Sequence, residues 1–260
     1  YLLKPIDEDE LNGQLQKIVA EEEQREDKQQ KVDQIEKKLE DSKYLRHKEF
    51  LKQILRQKQE NIDDANTEFG LQLENKCFRG LTLKLDRDID VPENTQQMQF
   101  VLRKIMQKAE DAFETCTIDL IAAVQPNHSV QVLLNYFQTE QENIDIKITD
   151  FFNEMKDYLE NFQHFKITVG VSREVESFEQ ISTAIEMSKE AAASRLFKGN
   201  GRRIEYCHEP HALFSPKDFQ NEYEEFSKAV ETMQTDACQY QIHKCFRKAG
   251  DKSLFASEFY

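Results

Sequence analysis

Residues 165–206 read FKITVGVSREVESFEQISTAIEMSKEAAASRLFKGNGRRIEY and carry the pattern of one complete β-α-β unit. From Phe165 to Val171, apolar residues alternate with Lys, Thr and Gly, which is the period-two pattern of a half-buried strand. Residues 202–206 predict a second, short strand. The segment between them is long enough for a crossover helix, so the unit predicts a helix packed on a sheet.

The segment between the two strands has the start, face and end of a helix. Ser177 and Gln180 form a capping-box pair that predicts its first turn. The KGNG run at 198–201 predicts its end, because Gly and Asn tolerate the left-handed conformation of a C-cap. The face predicted to cover the sheet consists of Phe178, Ile181, Ala184, Ile185, Ser188, Ala191, Ala192 and Arg195.

Composition and charge narrow the class of protein. The chain has 260 residues, of which 38% are hydrophobic and 32% charged, so long solvated helices are expected beside a core. The net charge of -14 argues against this chain itself binding nucleic acid or an anionic membrane surface. Five cysteines without a C-x-x-C pair favour a reducing, cytoplasmic compartment. We find no signal pattern and no apolar run of about 18 residues, so neither secretion nor a membrane span is expected.

The chain begins with YLLKPIDEDE, a strand end followed by Lys-Pro and an acidic helix start. This run resembles the end of the receiver domain of two-component response regulators. In that family the Lys before the Pro contacts the phosphorylated aspartate, and an aromatic residue three positions earlier moves with the switch. The resemblance therefore assigns these two roles to Lys4 and Tyr1, and it makes residues 1–10 the remnant of a receiver domain in a longer protein.

A long, polar helix is predicted from Leu11 to about Ile62. A seven-residue repeat favours a coiled coil over its middle part, with core positions at Leu11, Ile18, Val32, Ile35 and Leu39. Three interpretations stay open: a parallel homodimer, a helix folded back on a neighbouring domain, and a solvated single helix. A denser apolar set is expected to pack on the next domain: Tyr44, Leu45, Phe50, Leu51, Ile54 and Leu55. We predict residues 11–66 as a helical linker, with a break in residues 61–73 marking the domain boundary.

Residues 67–208 are predicted to form an α+β domain in the order β-α-β-β-α-β-α-β, a ferredoxin-like arrangement with one added strand. Strands are expected at 77–86, 118–124 and 130–136, before the β-α-β unit already described. Asn94 with Gln97 and Thr139 with Glu142 predict the first turns of the two intervening helices. The first helix is expected to bury Phe100, Val101, Ile105, Met106, Ala109 and Phe113. Residues 209–260 are predicted as a further helical segment.

This domain is similar in layout to the GGDEF fold of diguanylate cyclases, and the run from Lys198 to Ile204 looks like the helix-to-strand turn of that family. The resemblance places Asp86, with Asp88 two residues later, where the family keeps its first metal-binding aspartate. Two-metal phosphoryl chemistry needs carboxylates on both metals, and close approach of a nucleotide needs glycines. If they have no chemical role, both aspartates are expected to lie in a solvated loop after the strand.

The hairpin between the second and third strands should carry the Gly-Gly-Asp-Glu-Phe signature. This chain has Pro126-Asn127-His128-Ser129-Val130 instead, so the second carboxylate and both glycines are missing. Asn127, His128 and Ser129 therefore mark a degenerate signature. We predict no catalytic residue, no bound metal and no cofactor, and hence no enzyme.

Two other clusters have weaker chemical interpretations. Cys207 and His208, with His211, have zinc-ligand chemistry but lack a second pair of ligands, so a polar linker is the better interpretation. Cys77 with His128, His164 or His243 would be a nucleophile and base, but no local signature supports this, and a small buried residue is expected instead.

In this order, the segments resemble the middle of an AraC-type response regulator, in which helix-turn-helix motifs follow and bind promoter DNA. The resemblance implies a cytoplasmic transcription regulator that is phosphorylated by a sensor histidine kinase and acts as a homodimer, with no membrane partner. Phosphorylation would act through the linker helix on dimer geometry. The alternatives are a sensory domain that binds a nucleotide or metabolite, and an active nucleotide cyclase.

Overall fold

The structure, a computed structural model, describes residues 38–56, 61–87, 94–162, 164–207 and 220–251. The chain divides into two compact units, Tyr1–Arg46 and His47–Tyr260. Residues 38–46, the described part of the first unit, are helical. Several predictions concern residues outside the described ranges: the receiver remnant, most of the linker helix, and the candidate zinc ligands His208 and His211.

The second unit is built on a five-stranded mixed sheet in the spatial order β2-β3-β1-β4-β5. β1 is antiparallel to both β3 and β4, β2 is antiparallel to β3, and β4 is parallel to β5. The strands are β1 (Cys77–Arg87), β2 (Asp119–Gln125), β3 (Ser129–Tyr136), β4 (Phe165–Val171) and β5 (Arg203–Glu205). With the helices between them they follow the β-α-β-β-α-β-α-β order predicted from the sequence, which confirms the α+β class.

Helices flank the strands along the whole described chain, and short 3-10 turns at Gln138–Glu140 and Phe178–Gln180 precede two of them. The helices are α1 (residues 38–55), α2 (Ile62–Phe69), α3 (Thr95–Phe113), α4 (Gln141–Glu160), α5 (Ile181–Ala193), α6 (Arg195–Lys198), α7 (Gln220–Glu231) and α8 (Thr235–Asp251). None of the helices in the described ranges has both the length and the apolar character needed to cross a bilayer.

The two faces of the sheet carry different helices. Successive residues of a strand point to opposite faces. Arg79 of β1 bonds Asp145 of α4, whereas the next residue, Gly80, lies against Ala184 of α5. Therefore α4, with α3 packed beside it, covers one face, and α5 covers the other.

Two glycines bring α5 unusually close to the sheet. A Cβ atom added to Gly80 would lie 2.6 Å from the carbonyl oxygen of Ala184, and one added to Gly170 would overlap the backbone of Ser188 and Ala192. Contacts this short do not occur between real side chains and backbone, so only glycine permits the observed spacing at these two positions.

A buried polar network holds α5 at this distance. The Ser188 hydroxyl lies 2.8 Å from the Thr82 hydroxyl, and it accepts from Gln131 Nε2 at 3.1 Å. Gln131 also bonds Thr82 and donates to the Leu81 carbonyl at 2.9 Å. Because every buried polar group in this cluster has a partner, the network positions the helix without an unpaired polar atom.

The predicted capping bonds at the helix starts are right at one position and wrong at two. Asn94 Oδ1 accepts from Gln97 N at 3.1 Å, as predicted. Ser177 and Thr139 do not form capping boxes, because a 3-10 turn precedes both helices and neither start has a side-chain cap. The first amide of the 3-10 turn after Ser177, that of Phe178, instead donates to Asn75 Oδ1 at 3.0 Å.

The predicted break at residues 61–73 follows the end of α1 at residue 55, and it contains a separate two-turn helix, α2. Asn61 caps this helix by accepting from Asp63 N, and Gly70 ends it with φ 64°. The polar residues that suggested a loop are therefore helix-start signals: an N-cap followed by acidic residues in the first turn.

The predicted core positions are partly correct. In α3, Phe100 is 53% exposed, and Met98 and Leu102 are buried instead. Of the apolar set predicted to pack on the domain, Phe50, Leu51 and Ile54 are buried, whereas Leu45 is 62% exposed. α7 and α8 pack on each other but leave several apolar side chains exposed: Tyr223, Val230, Met233, Tyr240 and Ile242.

We expect Gly170→Ala to lower the free energy of unfolding by at least about 2 kcal/mol, because the new methyl group would push α5 off the sheet. Urea unfolding measures the change. Thr183→Ala on the exposed side of α5 is the matched control and should stay within about 0.5 kcal/mol of the parent. Equal stability of the two variants would contradict the close approach.

Candidate functional site

The sequence-predicted site residues that the structure describes lie at one end of the strands, where β1 ends beside the β2–β3 hairpin. Asp86 is the penultimate residue of β1 and lies opposite Lys166 of β4. Asn127 and His128 lie in the hairpin turn, and Ser129 begins β3 opposite Lys84. Asp88, like Tyr1 and Lys4, lies outside the described residues.

Asp86 forms an ion pair with Arg195, the first residue of α6. Arg195 Nε donates to the two carboxylate oxygens at 2.9 and 3.1 Å, and its Nη1 donates to the Ala192 carbonyl at 3.2 Å. The Arg195 side chain is 9% exposed and the Asp86 side chain 21% exposed. The interpretation of Asp86 as a solvated loop residue is therefore wrong: the strand continues to Arg87, and the carboxylate faces α6.

The hairpin is stabilised by its own side chains and by Lys84 of β1. Ser129 Oγ donates to Asn127 Oδ1 at 2.6 Å, and Lys84 Nζ donates to the Asn127 carbonyl. His128 has φ 56°, and its carbonyl accepts from Leu85 N at 3.1 Å. His128 occupies a left-handed position that glycine adopts at lower cost, in keeping with a three-residue hairpin loop. Asn127 and Ser129 thus stabilise the turn.

A groove of about 350 Å³ lies between the hairpin, β1 and α5. Its walls carry both signs of charge: Lys84, Lys189 and Arg195 against Glu186 and Glu190. Lys189 is bonded to Glu186 at 3.0 Å within α5. Across the described ranges, we find no cluster of three or more His, Cys, Asp or Glu side chains arranged to hold a metal ion.

A second concavity of about 560 Å³ lies beside the start of β4. Leu159, Phe165 and Ile167 line it with apolar surface, and charged side chains of both signs also line it: Lys156, Glu160 and Lys166. The turn predicted between helix and strand closes one side, where Gly201 N donates to Thr168 Oγ1 at 3.1 Å. This concavity has the mixed character of a small-molecule pocket, an apolar wall with a few charged groups.

Cys77 lies far from His128, one of the histidines considered as its partner. It begins β1, whereas His128 lies opposite Leu85 near the other end of that strand, about 25 Å away at 3.3 Å per residue. Burial, and then the nearby Glu174 carboxylate, raise the pKa of the Cys77 thiol to about 11. Tyr136 donates to the same carboxylate at 2.6 Å. A thiol with a raised pKa is a poor nucleophile, so Cys77 is a structural residue.

Sequence reasoning missed Arg79, a buried cation that joins three elements. It donates to Asp145 of α4 at 2.6 Å, to Glu205 of β5 at 3.4 Å and to the Ser172 carbonyl at 3.2 Å. Arg203 of β5 also bonds Asp145. The sequence did contain a signal for Arg79, because it falls on the apolar period-two face of β1. An unpaired charge on that face would be costly, so a partner could have been expected.

No protein-family model matches the chain, and no curated protein has significant sequence similarity to it.

We expect the Asp86–Arg195 pair to show a coupling energy of roughly 1–3 kcal/mol in a double-mutant cycle of Asp86→Asn and Arg195→Gln. The physical reason is that each single change leaves a largely buried charge without its partner. The exposed Glu186–Lys189 pair is the control and should couple by less than about 0.5 kcal/mol. Equal coupling in both cycles, measured by urea unfolding, would show that the buried pair does not form.

Proposed function

We propose that the chain is the central relay of an AraC-type two-component response regulator, and that its sheet domain is a GGDEF-like domain without catalytic activity. The observation that carries the proposal is the ion pair between Asp86 and Arg195. In the cyclase family the corresponding aspartate serves a metal ion, whereas here its carboxylate is bonded to a guanidinium group.

The fold supports the GGDEF-like part of this proposal. The first four strands have the order β2-β3-β1-β4, which is the ferredoxin-like arrangement, and β5 adds a parallel edge through the β4-α5-β5 crossover. The β2–β3 hairpin lies next to the last residues of β1, which supports this proposal. A fold alone hosts many activities, so the argument for function depends on the site.

The chemistry of the site argues against a cyclase. Two-metal catalysis needs carboxylates that approach both ions and hydroxyl activation at the same place. The hairpin residues from Pro126 to Val130 include no carboxylate, and the only acidic residue of β1 is held by Arg195. The residues at this edge instead bond one another, which fits a structural role.

A relay also needs a firm connection between the linker and the sheet domain. Residues 47–55 are the helical stretch that opens the second unit, and Phe50, Leu51 and Ile54 in it are almost fully buried. The Phe50 ring lies 5.6 Å from the ring of Phe69 of α2 in an edge-on arrangement. A rotation or shift of this helical stretch would therefore displace the side chains of the sheet domain that pack against it.

The remaining partners follow from the resemblance. A sensor histidine kinase would phosphorylate a receiver domain that ends near Tyr1 and Lys4, and promoter DNA would be bound by a domain following residue 260. A homodimer would form through the heptad positions of the linker helix, of which Leu39 is 64% exposed. Such a regulator would work in the cytoplasm.

A second candidate is a sensory domain that binds a nucleotide or metabolite. The concavity of about 560 Å³ beside β4 favours it, because an apolar wall with charged side chains of both signs suits a small polar molecule. Ligand binding would raise the melting temperature by linkage, whereas a pure relay would not respond.

For the relay, we expect the protein to be a dimer that Ile35→Lys converts to a monomer, because a charge in the heptad core prevents helix pairing. Light scattering after size-exclusion chromatography measures the mass. Gln34→Lys makes the same change of one positive charge at an outward heptad position and should leave the dimer intact. A monomeric parent protein, or equal dissociation of both variants, would contradict the dimer.

With GTP and Mg²⁺ we expect neither product formation nor a rise in melting temperature. Chromatography of the reaction and a thermal melt of the same sample give the two readouts. Product that disappears in Asp86→Asn would establish a cyclase and overturn the proposal. A higher melting temperature without product would favour the sensory domain instead.

A further inference from the structure

β2 lies at the edge of the sheet, where a strand normally presents unpaired backbone amides. Such amides can recruit another strand, so stable proteins cover or occupy them. In β2, the amides of Leu120 and Ala122 take side-chain acceptors instead of β3 carbonyls. Leu120 N donates to Asp119 Oδ1 at 2.8 Å, and Ala122 N donates to Nδ1 of His47 at 3.2 Å.

The two acceptors differ in where they come from. Asp119 belongs to β2 itself and also accepts from Gln72 N through Oδ2 at 2.6 Å, so its position is fixed within the sheet domain. His47 belongs to the helical stretch 47–55 and reaches Ala122 across a separation of 75 residues. The His47 bond therefore connects the helical stretch 47–55 to β2, whereas the bonds of Asp119 do not involve that stretch.

The buried position of His47 makes this bond informative. The residue is only 3% exposed, and it lies one turn before Phe50 and Leu51, which anchor the same stretch. Apolar contacts are not directional, so they allow small rotations and shifts of a helix. A hydrogen bond to a backbone amide is directional and fixes one rotation and one axial position.

We infer that His47 is a latch that sets the register of the helical stretch 47–55 on the edge of β2. For Nδ1 to accept from Ala122 N, the imidazole must be neutral with its proton on Nε2. The hydrogen bond and its effect on register depend only on the fold. The suggestion that it transmits a movement of the linker to the sheet rests on the proposed relay function.

The test is amide hydrogen exchange at Ala122, followed by NMR in the whole chain. His47→Phe keeps a buried ring but removes the acceptor, and it should accelerate exchange at Ala122 by roughly fivefold to tenfold. His47→Asn places an amide oxygen near the position of Nδ1 and should keep exchange within about twofold of the parent. The Leu120 amide, capped by Asp119, is the internal reference and should not change in either variant.

His164→Phe is the matched control, because His164 is exposed and its loss should alter neither amide. Unchanged exchange at Ala122 in His47→Phe would overturn the latch. Equal acceleration at Ala122 and Leu120 in both His47 variants would also overturn it, since it would mean a general loosening of the helix.

A measurement on the parent protein covers the case in which His47→Phe does not fold. The long-range ¹⁵N spectrum of the imidazole distinguishes the two neutral tautomers and the imidazolium ion. We expect the Nε2–H tautomer at neutral pH. An Nδ1–H tautomer or an imidazolium ion would overturn the latch, because neither can accept from Ala122 N.

Discussion

The close contact between α5 and the centre of the sheet positions the other features of the site. Gly80 of β1 and Gly170 of β4 let the helix backbone approach, and Ser188 then reaches Thr82 and Gln131 in a network without unpaired atoms. α6 follows α5 after a single residue, so its first side chain, Arg195, is carried to the end of β1. The pairing of Asp86 with Arg195 is thus a consequence of how α5 is seated.

Polar side chains also connect the elements at two other places in the sheet domain. At the end of β1, the carboxylate of Asp86 is bonded to the Arg195 guanidinium group, and the side chains of Asn127 and Ser129 bond each other in the hairpin. At the edge strand β2, His47 and Asp119 accept hydrogen bonds from outward-facing backbone amides. Polar groups at both places therefore hold elements of the fold together, in keeping with the structural role proposed for this domain.

Much of the fold follows from local patterns in the sequence. The period-two alternation in Phe165–Val171 and the apolar stripe of α5 predicted a strand and helix correctly, and with similar patterns elsewhere they gave the element order. Local patterns failed where the partner is distant. Asp86 was assigned to a solvated loop because its partner, Arg195, is 109 residues away in the sequence. Periodicity carries no information about such contacts, which only the folded sheet creates.

The central claim is that the carboxylate of Asp86 is committed to Arg195 and is not available to a metal ion. Paramagnetic line broadening by Mn²⁺, followed by NMR on the whole chain, tests it most directly. The account predicts no selective broadening at the amides of Asp86, Lys84 and Asn127 at Mn²⁺ concentrations that saturate metal-dependent cyclases. Broadening centred on Asp86 in the parent protein, and absent in Asp86→Asn, would contradict it.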